Sequence, residues 1–370
     1  MKIGTYLDMT GLGEFKLLGE LPEEAIDIHV HLGSYFKLPL LGGINLTGPT
    51  GFLSNLKYHV NQVKKYRFSK QNARFQLKGM DGLLDVGLLK TDMNGSKSDM
   101  MYLLTSISSL IDVDYPSYLT EKPIALRSDI FLSIIKLLPK FSAILDQANL
   151  SNLKEYLAAY TIQRAIVLPI ETGVYTRFCD ATLDVCQNAS EVIPCCSVHP
   201  CQPDIEERLR IYKSKGIRMV KFHPDFQGIL PDSKEALYLF DLCRSYNMTV
   251  QCHVGWPGKN LHLSDPKYYA ASIRAMPNLT FILAHIGLSA TDATIQLAKD
   301  NPNVYLETSG QPVSGIVKAK MAIGAHRILF GSDWPLYHPA IPISRVLEAF
   351  PDTTDRCRVF RDNIRELIPV

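Results

Sequence analysis

The sequence is short of several features that would sort it at once. Neither sign of charge dominates: 39 basic residues against 37 acidic leave a formal net charge of +2. So little imbalance gives no electrostatic reason to expect nucleic acid or an anionic membrane as a partner. The eight cysteines include no C-x-x-C pair, and only Cys195 and Cys196 are adjacent. That excludes a disulfide framework by spacing, and a reducing cytoplasm is the expected location. The opening MKIGTYLDMTGLGEFKLLGE has no apolar run long enough for a signal peptide. The most membrane-like stretch, Ile130 to Leu145, is interrupted by Lys136, Pro139 and Lys140, and reads as a buried helix followed by a second one rather than a span. No G-x-G-x-x-G follows any apolar run, which leaves a dinucleotide-binding fold unsupported. Internal repeats and low-complexity tracts are also missing.

What is there is an ordinary soluble composition, 46% hydrophobic and 21% charged over 370 residues, enough for one large core or two smaller ones. From about residue 160 onward, short apolar runs alternate with amphipathic stretches. The runs are RAIVLPI (164–170), VIPCCSVHP (192–200), IRMVKFHP (217–224), MTVQCHVG (248–255), LTFILAHIG (279–287), NVYLETSG (303–310) and RILFGSDWP (327–335). EAIDIHVHLG (24–33) makes eight. Helix-like segments such as DIEERLRIYKSKG and SKEALYLFDLCRSYN separate them and end in Gly or Asn, the punctuation of βαβ units. The runs are continuously apolar, as strands covered on both faces require. Eight strands with helical crossovers over about 250 residues is the size of an α/β TIM barrel, (β/α)8, with a doubly wound open sheet as the other arrangement.

One part exceeds a minimal barrel. The reading divides the chain into 1–33 (N-terminal segment and first barrel strand), 34–150 (a long helical insertion) and 151–370 (the rest of the barrel). The insertion opens Gly- and Pro-rich, then carries NLKYHVNQVKKYRF, SDMMYLLTSISSLI and PIALRSDIFLSIIKLL, each with apolar residues three and four apart. Because it leaves from a strand's C-terminal end, it is expected over the active-site face of the barrel. A homodimer contact through it is left open.

The chemistry-bearing residues fall at strand ends. In IDIHVH, His29 and His31 are two apart and share a face of the strand, half of a coordination shell for zinc or a similar ion. Lys221 and His223 close the fourth strand, His253 the fifth, His285 the sixth and Asp333 the eighth. In a TIM barrel the C-terminal strand ends form the active site, so one fold brings all of them together. Asp27 lies on the same face as the two histidines but deeper, as a hydrogen-bonding floor residue. Trp256, Thr308 and Ser309 are candidates for the substrate pocket, and His199 for its rim. Lys221 reads either as a pocket residue or as a buried charge paired with Asp27 or Glu307.

The motifs D-I-H-V-H, V-K-F-H-P, C-H-V-G, L-A-H-I-G and F-G-S-D-W-P, in this order, resemble the amidohydrolase superfamily. More narrowly, they resemble the amidohydrolase-2 branch with the aminocarboxymuconate-semialdehyde decarboxylase-like enzymes. The resemblance covers residues 24–33 and 150–370, and RDNIREL near the C-terminus fits it. It implies that His29, His31, His253 and Asp333 bind one divalent metal, and that Asp333 also serves catalysis. It also implies that His285 stands beside the metal, as a catalytic acid/base or as a ligand to a second metal. Zinc suits this ligand set first, and manganese, cobalt or iron also fit. A single ion is preferred to a pair bridged by a carboxylated Lys221. The expected activity is hydrolysis of a small amide, lactone or ester by metal-activated water. The alternative is non-oxidative decarboxylation of a small aromatic or unsaturated carboxylic acid. The branch holds both reactions, so the motifs do not choose between them. The partner in either case is a small-molecule substrate.

Overall fold

The computed structural model describes residues 5–9, 15–32, 148–171, 178–255 and 263–369. Almost all of the proposed insertion, the segment Ile130 to Leu145 and Trp256 lie outside the described residues. Within them the chain builds ten strands. Two short ones, β1 (Leu7–Met9) and β2 (Phe15–Leu17), form an antiparallel hairpin. The other eight are β3 (Ile26–Val30), β4 (Arg164–Val167), β5 (Val192–Pro194), β6 (Met219–Phe222), β7 (Thr249–Cys252), β8 (Phe281–Leu283), β9 (Val304–Glu307) and β10 (Ile328–Leu329).

These eight are parallel neighbours in two runs, β3-β4-β5 and β6-β7-β8-β9-β10. Two parallel bridges join the runs into a ring, Cys196 with Val220 and Val30 with Trp334. Both seams carry main-chain hydrogen bonds: Lys221 N donates to Cys196 O (2.7 Å) at one, and Asp333 N to His29 O (2.8 Å) at the other. The result is a closed TIM barrel. All eight strands read from the sequence are present, each shorter than its apolar run.

The helices follow from caps and apolar spacing. The longer ones are α1 (Leu150–Ala159), α2 (Phe178–Cys186), α3 (Ile205–Ser214), α4 (Lys234–Ser245), α5 (Pro266–Ala275), α6 (Thr291–Asp300), α7 (Val313–Ile323) and α8 (Ala340–Ala349). Asn149, Ser233 and Asp265 cap α1, α4 and α5 by accepting from main-chain N–H groups of the first turn, each cap worth about 1 kcal/mol. In α4 the buried residues Ala236, Leu239, Phe240 and Cys243 recur at spacings of three and four, the stripe that lies against the sheet. Among the described residues no helix is long and apolar enough to cross a membrane.

Two apolar layers result. Ile26, Ile28, Ile166, Leu168, Met219, Ile282 and Leu329 fill the barrel interior. Val220, Phe222, Val250, Cys252, Phe281 and Leu283 pack outward with the helices. All eight cysteines are free thiols, and burial pushes the Cys179 thiol up to about 12, as befits a packing residue.

Candidate active site

β3 is irregular where it matters. Its register against β4 shifts between Asp27 and Val30, which breaks the alternation that would place Asp27 on the face of His29 and His31. Asp27 instead turns to the helix layer, where its carboxylate accepts from Tyr156 Oη on α1 (2.7 Å), Ser332 N (3.0 Å) and Ser332 Oγ. Burial pushes its carboxyl up to about 7 against these hydrogen bonds. Asp27 is therefore a hydrogen-bonding residue, but between β3, α1 and the end of β10 rather than on the pocket floor. Tyr156 also stacks on Trp334, with ring centroids 6.0 Å apart.

His29 and His31 do share a direction. Their Nε2 atoms are 3.2 Å apart, and Asp333 Oδ1 stands 3.5 Å from the first and 3.3 Å from the second. The remaining ring nitrogens fix the tautomers. His31 Nδ1 is 2.8 Å from Leu168 O, which can only accept, so that nitrogen carries the proton. His29 Nδ1 is 2.8 Å from Glu307 Oε2 and donates to that carboxylate. With the Nδ1 hydrogens so directed, the two Nε2 atoms turn toward each other and toward a carboxylate oxygen. Three acceptors gathered so closely fit a cation, and an imidazole N–H on a carboxylate or carbonyl is the usual support for a metal-binding histidine. Burial, with Lys221 nearby, holds His29 well below the ordinary imidazole range. Burial would raise Asp333, but His29, His285 and His31 hold it below the usual carboxylate range.

The close approach of β10 depends on Gly331. A Cβ there would collide with Glu307 Oε1 and stand 2.7 Å from His29 Cβ. Asp333 itself takes a left-handed backbone (φ 59°). So does His285 (φ 62°), where the strand ends at Leu283 and the chain turns through Ile286, Gly287 and Leu288 with positive φ. Strained backbone of this kind persists where surrounding contacts over-determine it. Here the His285 main-chain N donates to Glu307 Oε2 (3.2 Å), and Gln311 Nε2 donates to its carbonyl.

The His285 ring closes a second chain of contacts. Ser309 Oγ donates to Glu307 Oε2 (2.8 Å), so it accepts from His285 Nδ1 (2.7 Å). His285 Nε2 is then an acceptor, 3.1 Å from His253 Nδ1, which donates to it. This leaves His253 Nε2 as a lone pair, buried and without a hydrogen-bond partner among the described residues. An orphaned acceptor is what a metal ligand leaves when only protein atoms are counted. Burial lowers His285, with Asp333 and Glu307 pulling the other way.

The expected ligands therefore separate into groups. His29, His31 and Asp333 offer ligand atoms all within 4.8 Å of one another. His253 does not join them at that distance and instead groups with His223 and Asp225, while His29, His285 and Glu307 make a third set. His223 lies between Phe226 and His253 in a parallel ring stack, with centroids 4.0 Å apart on each side. Lys221 is buried, and among the described residues its Nζ makes no hydrogen bond, so neither Asp27 nor Glu307 is bonded to it as the sequence reading allowed. Burial lowers its ammonium, against Asp333 and Glu307. Ser309 lies against His285, and Thr308 Oγ1 accepts from Gly331 N (3.4 Å). His199 is tied to Gln227 O (2.9 Å) and to its own loop. Sequence reasoning missed Glu307 as the residue that supports His29 and Ser309, although a carboxylate closing an apolar strand just before a Thr-Ser pair was a signal for it.

A closed β/α barrel with imidazoles and a carboxylate converging at the C-terminal ends of its strands defines a metal-dependent amidohydrolase-type enzyme. The amidohydrolase-2 family profile, described as amidohydrolase, matches residues 146–370, and the chain belongs to that family. Solved structures share the fold. A TIM-barrel protein from Bordetella bronchiseptica is 19% identical with TM-score 0.52, covering 60% of this chain and 83% of its own. The 5-carboxyvanillate decarboxylase of Sphingomonas paucimobilis is 12% identical with TM-score 0.52, covering 72% and 96%. A 2,6-dihydroxybenzoate decarboxylase is 16% identical with TM-score 0.50, covering 61% and 90%. No curated protein sequence matches the chain.

Proposed function

We propose that the chain is a metal-dependent carboxy-lyase that removes carbon dioxide, without oxidation, from a small aromatic or unsaturated carboxylic acid. The observation that carries this is the division of labour among the imidazoles. His29, His31 and Asp333 form an acceptor-only cradle for a cation, and His253 adds a free Nε2. His285 is held by Ser309 at Nδ1, and its Nε2, which accepts from His253 Nδ1 in the resting site, would have to take up a proton from solvent and leave His253 before passing that proton on. A divalent ion in the cradle would supply Lewis acidity toward an oxygen of the substrate. In the reaction the bond between the substrate carbon and its carboxyl breaks. The electron pair stays on the carbon, which takes a proton from His285, and carbon dioxide departs. Loss of that proton returns His285 Nε2 to its place as acceptor from His253 Nδ1.

Decarboxylation is preferred to the hydrolysis that the sequence favoured because two of the solved structures sharing the fold are decarboxylases. Hydrolysis is the second reading, favoured by the family's own description. The deciding experiment incubates protein of measured metal content with aromatic carboxylates, lactones and amides, following carbon dioxide and acid release together. Carbon dioxide from a carboxylate is the expected result. Acid release from a lactone or amide, with no carbon dioxide, would overturn it.

A further inference from the structure

We propose that Lys221 and Gln251 form a binding site for a carboxylate group, on the side of the barrel mouth opposite the His29–His31–Asp333 cradle. The two residues are directly paired across β6 and β7. Their strand neighbours Val220, Phe222, Val250 and Cys252 pack outward with the helices, so Lys221 and Gln251 face the interior. In the ring of eight strands, β6 and β7 lie across from β10 and β3.

Both side chains are sealed from solvent, at 1% and 0% exposure. Lys221 Nζ, Gln251 Oε1 and Gln251 Nε2 have no hydrogen-bond partner among the described residues. Buried polar groups are nearly always satisfied, and an unpaired buried ammonium is strongly unfavourable. The acids that could neutralise Lys221 are engaged elsewhere. Glu307 accepts from His29 and Ser309, and Asp333 faces His29 and His31. What is lacking is an anion with more than one acceptor atom. A carboxylate supplies that: one oxygen accepts from Nζ and the other from the Gln251 amide. A neutral water could satisfy Gln251 but would give the ammonium no charged partner in hydrogen-bond contact, and a cation would be repelled by it.

This assignment names the substrate class for the carboxy-lyase reading, on which it rests. The test is calorimetric titration of the full chain, reconstituted with a divalent ion. The probes are benzoate and 2,6-dihydroxybenzoate, with benzamide and resorcinol as neutral counterparts. The wild type should bind the carboxylates more tightly than the neutral compounds. Lys221→Met should lose about 10- to 100-fold in carboxylate affinity, with unchanged metal content and unchanged affinity for the neutral compounds. Gln251→Glu sets a fixed carboxylate beside Lys221 and should compete with the ligand to a similar extent, so it decides the matter if Lys221→Met does not fold. Unchanged carboxylate affinity in the folded variants, or a wild type that binds no carboxylate better than its neutral counterpart, would overturn the site. Lysine-dependent binding with acid release and no carbon dioxide would keep the site and overturn the carboxy-lyase reading. Carbon dioxide release with unaltered carboxylate binding in Lys221→Met would do the reverse.

Discussion

The two sides of the barrel mouth are built on opposite terms. Around β3, β9 and β10, each imidazole is held at its Nδ1: His29 by Glu307, His31 by Leu168 O and His285 by Ser309, which itself donates to Glu307. Around β6 and β7, Lys221 Nζ, the Gln251 amide and His253 Nε2 reach no partner among the described residues. The first side is a cradle whose shape the protein sets by itself. The second is completed only by what binds to it. A site needs both: fixed groups that keep their geometry through turnover, and unsatisfied ones that gain most when the ligand arrives.

The largest effect that could break this contrast comes from the fixed side. Asp333→Ala should lose the bound cation and reduce turnover to background, checked by elemental analysis and assay of one preparation. Full retention of metal would transfer the role to His223, Asp225 and His253, the group on the other side. Next comes His285→Asn, which can still hydrogen-bond to Ser309 but cannot carry a proton. It should keep its metal and lose about 10²- to 10⁴-fold in turnover. Arrival without metal would make His285 a ligand together with His29 and Glu307. The smallest is Glu307→Gln, which removes the charge behind His29 and should weaken metal affinity by about 10- to 100-fold. An unaltered dissociation constant in a competition titration with a chelator would mean that the support for His29 lies elsewhere.

Much of the fold was legible in the sequence, and for a physical reason. Parallel strands buried on both faces must be apolar throughout, so each run advertises itself, and a polar residue at its end stands out. His29, His31, His253, His285 and Asp333 were singled out that way, and their roles remain proposals. What was not legible depends on departures from regularity. The register shift in β3 sends Asp27 to Tyr156 and Ser332, and no two-residue alternation foretells it. The left-handed turn at His285 shortens a run that reads as a longer strand. The hairpin of β1 and β2 has strands of three residues, too brief to show a period. Gln251 sits in mid-strand, where only the neighbouring lysine and the missing partners mark it out. The proposed insertion at 34–150 falls almost wholly outside the described residues, and its helices stay an expectation.

The seam between the first and last barrel strands has one more consequence, for how the chain reaches its native state. The hydrogen bond from Asp333 N to His29 O closes the ring at the same residues that gather the acceptors of the cradle. Residues 29 and 333 are nearly the whole chain apart, so this contact closes a very long loop and makes its entropy demand before any local gain repays it. The cradle therefore forms only as the barrel shuts. A divalent ion held by His29, His31 and Asp333 would link the two ends of the ring, and its removal should be felt first at the boundary between β3 and β10. Hydrogen exchange with and without chelator would read that boundary directly.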